Sequence, residues 1–403
     1  MIKNLDKKIK AYALKNAIAY QGKANPGAII SALFNEGLKK SEVKKTMPKI
    51  QKIINKIEKL SLKKQKKEFE KLKEFTSERE IREGLPELPN SEKGIIMRFA
   101  PSPSGAFHIG HALTACISYN YVKKYKGKFI VRIEDTNPEN IYLKAYDLIK
   151  KDSKWLFEDK AEIIIQSERM DLYYAYAVSL IEKKSAYICT CSGDKFREFS
   201  KQKKECPCRN KTEKQNLEDW KKMLSKKGFQ QGEAILRFKS DMTHKNPAMR
   251  DFPLARINLT KHPLQKNKYK VWPLMNLSVT TDDIEMGMTH IIRAKEHRDN
   301  AERQKMIFKV FNKEYPWVSF LGRIHLKGIK LSATQITKDI EEGKYSGWDD
   351  SKLPTIQSLK KRGYKPKAFY KLAEHIGLSE VDKTLKSKDF FELLDKFNKE
   401  EIS

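Results

Sequence analysis

Two histidines that follow a turn rich in proline, serine and glycine are the first residues of this sequence that could do chemistry. Residues 98–105 contain two prolines and a glycine directly after an apolar run that ends at Met97, and His108 and His111 come next. From residue 109 to 125, apolar side chains recur at helical spacing. The pattern predicts a buried strand, a tight turn and the N-terminus of a helix, where backbone N–H groups bind phosphate well.

Gly110 lies between these two histidines. Because it has no side chain, an adenine ring could approach the backbone while the two imidazoles reach the phosphates. A four-residue match of this kind, taken alone, more often marks an ordinary helix start. The turn that precedes it favours a nucleotide site.

The turn and the histidine pair begin a series of motifs that runs through the chain. In order, the motifs are Arg98-Phe-Ala-Pro-Ser-Pro-Ser-Gly, His108-Ile-Gly-His111, Arg132-Ile-Glu-Asp-Thr136, Val271-Trp-Pro273, Ile292-Arg-Ala-Lys-Glu-His297 and Tyr345-Ser-Gly-Trp-Asp-Asp350. The series resembles that of the class I aminoacyl-tRNA synthetases of the glutamyl/glutaminyl branch, and it is similar to the archaeal-type glutamyl-tRNA synthetases. The resemblance covers nearly the whole chain.

The resemblance implies a glutamate-binding set of five residues. Glu134 would contact the α-amino group, while Arg98 and Arg293 would bind the carboxylates. Ser102 would add a hydrogen bond, and Met275 stands where many relatives have a tyrosine over the substrate side chain. Two arginines and one glutamate match the charges of a dicarboxylic amino acid, and a neutral side chain would leave one arginine unpaired.

Two of these positions also have a purely structural interpretation. Glu134, with its neighbour Asp135, could serve only to cap the long helix that the pattern predicts from Pro138 to Leu156. Met275 is predicted to lie in a strand that returns to the sheet, where a methionine is more often part of the core than a ligand contact.

The second signature of this family is a mobile loop that carries lysine. Its match is Gly328-Ile-Lys330-Leu-Ser332-Ala-Thr334, with Ala333 in place of the usual second lysine. Activation needs positive charge at the phosphates, because no covalent enzyme intermediate forms, and Lys330 with Lys327 would supply it. A lysine-rich surface loop is the structural alternative.

The resemblance therefore implies catalysis by His108, His111 and Lys330 on Mg²⁺-bound ATP. The implied ATP-binding residues are Ser104, Gly105, His108, Gly110, His111, Glu296, Lys330 and Ser332.

Four of the five cysteines occupy one short window. They form two close pairs, Cys189 with Cys191 and Cys206 with Cys208, separated by fourteen residues. Two such pairs suit a tetrahedral Zn²⁺ site with four thiolate ligands, and similar enzymes carry a structural zinc here. Cys-x-Cys is tighter than the usual Cys-x-x-Cys, so free thiols or a lost site remain alternatives.

The composition is that of a globular protein with a polyanionic partner. Lys and Arg number 82 against 52 Asp and Glu, a formal charge of +30 on 403 residues. Such an excess favours tRNA binding, although a lysine-rich proteome or a heat-adapted surface would also produce it. The sequence contains neither a long apolar span nor an apolar leader, so a cytoplasmic location without membrane contact is expected. Cysteine pairs in one window also favour a reducing compartment.

Strands and helices alternate after residue 95. Predicted strands at 128–133 and 161–165 and a helix at 172–181 indicate right-handed crossovers, a parallel sheet and ligands at the carboxyl ends of its strands. The glycine-rich dinucleotide fingerprint and the phosphate-loop lysine motif do not occur, which argues against nicotinamide chemistry and ordinary kinases. The predicted fold is α/β, with a class I synthetase Rossmann-like catalytic domain.

Five regions follow from the pattern and the resemblance. They are a helical N-terminal extension (1–88), the first half of the catalytic domain (89–188), an acceptor-stem-binding insertion with the cysteine cluster (189–270), the second half with the signature loop (271–340) and a helical stem-contact region (341–403). The anticodon-binding β-barrels usual in archaeal-type relatives are not expected in this sequence, and a separate chain could supply them.

Three functions remain open at this point. The first is a glutamate–tRNA ligase, which forms glutamyl-adenylate and transfers glutamate to tRNA(Glu), with tRNA(Gln) as a further acceptor left open. The second is a truncated paralogue that glutamylates a tRNA base or another acceptor. The third is an inactive tRNA-binding module, suggested only by Met275 and Ala333. The histidine pair, Arg98, Glu134 and Arg293 favour an active ligase.

Overall fold

The protein divides into two compact units, Met1–Arg82 and Glu83–Ser403. A computed structural model describes residues 3–77, 84–329 and 331–402 of the chain. Within these ranges no helix combines the length and the apolar character that crossing a bilayer requires. The five sequence regions given above stay a prediction.

The helices of the described ranges are given first. They are α1 (Leu5–Ala19), α2 (Pro26–Asn35), α3 (Val43–Ile57), α4 (Leu62–Glu70), α5 (Ile109–Lys124), α6 (Ala145–Leu156), α7 (Met170–Glu182), α8 (Gly193–Gln202), α9 (Glu213–Leu224), α10 (Met275–Glu285), α11 (Arg298–Val310), α12 (Ala333–Glu341), α13 (Ile356–Lys361), α14 (Pro366–Ile376) and α15 (Ser387–Ile402).

The strands alternate with these helices in the second unit. They are β1 (Ile96–Phe99), β2 (Lys128–Ile133), β3 (Ala161–Ile165), β4 (Ala186–Cys189), β5 (Ile235–Phe238), β6 (Pro253–Ile257), β7 (Val271–Pro273), β8 (His290–Ala294), β9 (Trp317–Leu321), β10 (Ile324–Lys327) and β11 (Lys383–Lys386).

The first unit packs α1 to α4 around an apolar core that includes Ile9, Leu33 and Ile54. The Asn25 side chain accepts hydrogen bonds from the first backbone N–H groups of α2 and so caps that helix. Gln65 is fully buried on α4, and its amide donates to backbone carbonyls in the turns that connect the helices. Its amide thereby satisfies carbonyl groups that have no partner within a helix.

The second unit is built on parallel strands, as the sequence predicted. β1, β2 and β3 pair in this order, and β8 pairs with β9, all in parallel. Thr289, just before β8, donates its backbone N–H to the carbonyl of Ile96 at 3.1 Å and so joins the two sets of strands at β1. The carboxyl ends of β1, β2 and β8 therefore lie at one edge, which is where an α/β sheet binds its ligands.

Two predicted elements differ from the observed ones. The long helix expected from Pro138 to Leu156 is a short 3-10 turn, Pro138–Asn140, followed by a break and then by α6. The break arises because Tyr142 donates its backbone N–H to the carbonyl of Pro103 at 2.9 Å, so this segment holds the turn after β1 instead of continuing the helix.

A second sheet interrupts the parallel one. β4, β5, β6 and β7 pair in chain order, and all three pairings are antiparallel. α7 and α9 cover one face of it through a core that includes Leu180, Trp220 and Leu254. After β7 the chain enters α10 at Met275, so the prediction that this methionine lies in a strand is wrong. The helix begins there because Pro273 ends the strand and the backbone of Leu274 takes the capping position.

Candidate active site

One buried carboxylate joins the ends of two parallel strands. Asp283 on α10 accepts two hydrogen bonds from Arg98 on β1, at 2.7 Å from Nε and 3.0 Å from Nη2. It also accepts one from Arg132 Nη1 on β2, at 2.7 Å. All three residues are buried. The geometry is that of a two-pronged, charge-assisted pair with a second arginine bound to the same carboxylate.

Arg132 extends this network to Glu134, the residue predicted to bind the α-amino group of the substrate. Its Nη2 donates to Glu134 Oε1 at 3.1 Å, which holds the Glu134 side chain at the end of β2. Asp282, beside Asp283, accepts hydrogen bonds from Gln166, Arg169 and Tyr173, each at 2.8 Å. The network therefore ties β1, β2 and α10 to the segment that enters α7.

Burial and the two arginines act on Asp283 in opposite directions. Burial favours the neutral acid, but the charges of Arg98 and Arg132 outweigh it and lower the pKa of Asp283 to about 2. The carboxylate is therefore ionised at neutral pH, and both arginines keep an anionic partner.

Arg293 lies at the end of β8 in a different environment. Its Nη1 donates to the amide oxygen of Gln304 at 2.7 Å, and its Nε is buried without a hydrogen-bond partner. Burial, and then the positive charge of Arg98, lower its pKa. Within the described residues no carboxylate lies at ion-pair distance from Arg293. This side chain is thus a buried cation that faces another cation and pairs with a neutral group.

Met275 reaches the same region from the start of α10. Asn300 places its Nδ2 3.4 Å from the Met275 sulfur and 3.2 Å from Nδ1 of His297. Burial and the charge of Arg293 lower the pKa of His297, which also interacts electrostatically with Glu134 and Arg98. About a third of Met275 remains exposed.

Ser102 is an exposed residue on the loop after β1, where the carbonyl of the adjoining Pro101 accepts the backbone N–H of Glu134 at 2.9 Å. The structure therefore gathers four predicted glutamate-binding residues, Arg98, Glu134, Met275 and Arg293, at one edge of the sheet, with Ser102 on the adjacent loop.

The histidine pair marks the start of α5. His108 is the capping residue, and its Nδ1 accepts from the backbone N–H groups of Gly110 and His111 at 3.1 and 3.3 Å. Because Nδ1 acts as an acceptor, Nε2 carries the proton in neutral His108. The two rings stack with centroids 3.8 Å apart. Burial lowers the pKa of His108 to about 4 and that of His111 well below its usual value, so both imidazoles are neutral at pH 7.

The turn before His108 packs against the start of α12. A Cβ atom added to Gly105 would lie 2.3 Å from the Trp348 ring, so only glycine fits. The carbonyl of Ser104 accepts a hydrogen bond from Thr337 at 2.9 Å. Ala333 is buried in an apolar cluster together with Trp348. A lysine in place of Ala333 would therefore have to displace this packing.

The lysine-bearing loop ends beside the histidine pair. A Cβ atom added to Gly110 would lie 3.4 Å from Cδ1 of Leu331. Ser332 caps α12, since its hydroxyl accepts from the backbone N–H of Gln335 at 3.3 Å. Lys330 lies outside the described residues. Lys327 is exposed at the end of β10.

Glu296 follows β8, where its carboxylate pairs with Arg323.

The four cysteines come together as their spacing predicted. All four sulfur atoms lie within 4.8 Å of one another. The sulfur of Cys189 is 3.9 Å from that of Cys206, and the sulfur of Cys191 is 3.7 Å from that of Cys208. The Tyr187 hydroxyl lies 3.5 Å from the Cys206 sulfur and donates to Asp251 at 2.8 Å.

Sequence analysis missed the residues that hold the predicted set in place. Arg132 and His297 stand inside the quoted motifs and Asp283 and Gln304 outside them, and none of the four received a role. A signal was present for one of them, because Asp283 and its acidic neighbour stand in a helix whose other buried residues are uncharged. Gln304 gave no comparable signal, since a glutamine on a polar helix has no distinctive pattern.

Comparison with known proteins identifies the family of this chain. The family described as tRNA synthetases class I (E and Q), catalytic domain, matches residues 94–403. A glutamate–tRNA ligase of Methanocaldococcus jannaschii is 43% identical over 397 residues, which cover 97% of this chain and 71% of that protein. The glutamate–tRNA ligase of Pyrococcus furiosus is 43% identical over 385 residues, covering 93% of this chain and 67% of that protein.

A solved structure also matches. It is a glutamate tRNA ligase from Elizabethkingia meningosepticum CCUG26117 in complex with its amino acid, with a TM-score of 0.54 and 20% identity. The match covers 76% of this chain and 69% of that chain. At this identity the likeness is one of fold alone.

Replacing Asp283 by asparagine should strongly destabilise the second unit. The change removes the carboxylate that Arg98 and Arg132 share and leaves Arg98 buried without its anionic partner, so we expect a loss of about 3–5 kcal/mol in the free energy of unfolding at pH 7. Urea unfolding of Asp283→Asn and of the exposed control Asp147→Asn measures this loss. The control should stay within about 0.5 kcal/mol of the unchanged protein.

Comparing Asp283→Asn with the unchanged protein at different pH values gives a second test. The folded-state pKa of Asp283, about 2, lies below that of the unfolded chain, so the stabilisation is present above about pH 4 and is lost as the pH falls toward 2. The difference between Asp283→Asn and the unchanged protein should therefore shrink over this interval. A difference that is equally large at pH 2.5 and at pH 7 would show that the carboxylate charge is not its origin.

Proposed function

The chain belongs to the class I tRNA synthetases for glutamate and glutamine, and we propose that, as a glutamate–tRNA ligase, it activates L-glutamate with ATP and transfers it to the 3′ end of tRNA(Glu). The substrate assignment rests on the buried guanidinium of Arg293, which lies beside Arg98, with Glu134 at the same edge. Within the described residues no carboxylate lies at ion-pair distance from it. An anionic ligand would relieve the repulsion between the two cations, and Glu134 would pair with the α-amino group. A dicarboxylic amino acid supplies these charges.

The reaction has two steps. A carboxylate oxygen of glutamate attacks the α-phosphorus of ATP, which forms glutamyl-adenylate and releases pyrophosphate. A ribose hydroxyl at the 3′ end of the tRNA then attacks the carbonyl carbon, and AMP leaves. The protein forms no covalent intermediate in either step, so its contribution is orientation and charge stabilisation.

The turn and the start of α5 would bind the nucleotide. The N-terminus of α5 offers positive potential to the phosphates, and the neutral His108 and His111 can donate hydrogen bonds without acting as acids. The close packing at Gly105 fixes the path of the turn.

The remaining proposed ATP contacts are Ser104, Gly110, Glu296, Lys330 and Ser332. Mg²⁺ would arrive bound to the phosphate oxygens of ATP.

Charging of tRNA with glutamate is the principal test. The protein should attach glutamate to tRNA in the presence of Mg²⁺ and ATP, with glutamine as a poor substrate. Arg293→Ala should lower kcat/KM for glutamate on the order of 100-fold, since it leaves a buried carboxylate unpaired. The exposed control Arg362→Ala should change it by less than about twofold. Absence of glutamate charging by the unchanged protein would contradict the function, and an unchanged Arg293→Ala would remove that residue from the substrate site.

We propose a structural zinc ion in the cysteine cluster. Four thiolates at about 2.3 Å from Zn²⁺ in a tetrahedron lie about 3.8 Å apart. Two of the sulfur–sulfur distances, Cys189–Cys206 at 3.9 Å and Cys191–Cys208 at 3.7 Å, fit this value. The ion would hold the loop after β4 against the loop before α9 and take no part in the reaction. The thiol pairs also support a cytoplasmic, reducing location.

Metal analysis of the purified protein should find about one zinc per chain after a wash with a weak chelator. The double variant Cys206→Ser/Cys208→Ser should lose the metal and unfold at a lower temperature, because a structural site contributes directly to folding. Cys116→Ser, a buried cysteine outside the cluster, is the matched control and should keep the metal. A protein without zinc, or with zinc in both variants, would exclude this site.

We propose that the insertion between the two halves of the parallel sheet contacts the tRNA. A cavity of about 390 Å³ at the start of α9 is lined by five basic side chains and one acidic one: Lys184, Arg209, Lys211, Lys214, Lys239 and Glu213. Lys184 and Lys214 are exposed and make no side-chain hydrogen bond or ion pair within the described residues. Free lysines beside a helix N-terminus favour backbone phosphate. A separate chain that supplies anticodon-binding barrels stays a prediction.

The salt dependence of tRNA binding tests this contact. The triple variant Lys184→Ala/Lys214→Ala/Lys239→Ala should weaken binding and reduce the magnitude of the slope of log K against log salt by about 2.7, because each of the three lost phosphate contacts removes about 0.9 unit. The triple variant of three exposed lysines on α6, Lys150, Lys151 and Lys154, carries the same change of net charge. Equal slopes in the two triple variants would place the tRNA elsewhere.

A further inference from the structure

Gln304 is a buried polar residue on α11 to which no role has been given so far. It is fully buried, and its amide oxygen is the hydrogen-bond acceptor that Arg293 has within the described residues, at 2.7 Å from Nη1. We propose that Gln304 is a positioning residue for amino-acid recognition, which orients the Arg293 guanidinium through a neutral acceptor and leaves its positive charge for a carboxylate of the substrate. The inference rests on the proposed function.

The charges around the site show why a neutral acceptor matters. Arg98 and Arg132 share Asp283, and Arg132 also bonds Glu134. Arg169 pairs with Asp282. Three arginines and three carboxylates thus satisfy one another within this network. Arg293 is the arginine at this edge of the sheet that remains without a carboxylate among the described residues.

Arg293 and Gln304 each have a buried N–H group without an acceptor among the described residues. Arg293 Nε and Gln304 Nε2 are both donors, and both are buried without a partner. An unsatisfied buried donor is costly, so such groups usually find a partner once a ligand or water is bound. Two unused donors beside an uncompensated cation match a ligand that offers anionic oxygen atoms.

A glutamate side chain in place of Gln304 would add a negative charge next to Arg293 with almost no change in shape. Gln304→Glu keeps the acceptor oxygen but adds a carboxylate, which would pair with Arg293 inside the protein. That internal anion would compete with the substrate carboxylate for the same guanidinium. Gln304→Met removes the acceptor without adding charge, so Arg293 keeps its charge and loses its orientation.

Steady-state charging of tRNA distinguishes these effects. We expect Gln304→Glu to raise the KM for glutamate at least tenfold while the KM for ATP stays within twofold, because Arg293 is not among the proposed nucleotide contacts. Gln304→Met should raise the KM for glutamate by a smaller factor. The thermal unfolding midpoint of Gln304→Glu should not fall, since Arg293 gains a partner.

The outcome separates the inference from the proposed function. If the unchanged protein charges tRNA with glutamate and Gln304→Glu keeps its glutamate KM within twofold, Gln304 has no positioning role. Equal losses for glutamate and ATP in both variants, with a lowered unfolding midpoint, would also overturn the inference, because packing alone would produce them. If Gln304→Glu does not fold, an unchanged glutamate KM in Gln304→Met would decide against it. Failure of the unchanged protein to use glutamate would instead remove the proposed function.

Discussion

The shared pairing of Arg98 and Arg132 with Asp283 is the interaction on which the site depends. Each side chain comes from a different element, namely β1, β2 and α10, and each is removed from water. A buried charge is tolerable only when it is paired and hydrogen-bonded, so none of the three can move without exposing the other two to a large penalty. The network therefore fixes the spacing of the strand ends at which the substrate is proposed to bind.

This constraint divides the arginines of the site into two kinds. Arg98 and Arg132 are held by carboxylates, so their positions are rigid and their charges are largely compensated. Arg293 is held by an amide, so its position is defined, while no carboxylate of the described residues lies at ion-pair distance from it. A rigid frame beside an uncompensated cation is a preorganised arrangement for binding an anion, because the protein does not have to reorganise when the ligand arrives.

The elements of the fold were largely predictable from local sequence, whereas the partners of the site residues were not. β2 and β3 were predicted at their observed limits, since continuous apolar runs bounded by turn residues indicate buried parallel strands. The contact between Arg98 and Asp283 joins residues 185 positions apart, and no periodic pattern reports such a pairing. The error at the Pro138 helix has the same reason, because Tyr142 takes its place through a contact with Pro103, which is distant in the chain. The error at Met275 has a local cause, since β7 ends at Pro273 and α10 begins directly after Leu274.

The antiparallel sheet β4 to β7 lies in the sequence between the two arginines, Arg98 and Arg132, and their shared partner Asp283. During synthesis on a ribosome, Arg98 and Arg132 emerge well before Asp283. At about 5–20 residues per second the delay is on the order of 10–40 s for Arg98. Within the described residues the strands of the inserted sheet pair with one another, and β7, the last of them, emerges just before α10. Until then Arg132 has Glu134 as a partner, whereas Arg98 lacks the carboxylate that holds it in the folded protein. The edge of the parallel sheet that carries Arg98 and Arg132 can therefore close only after α10 has left the ribosome.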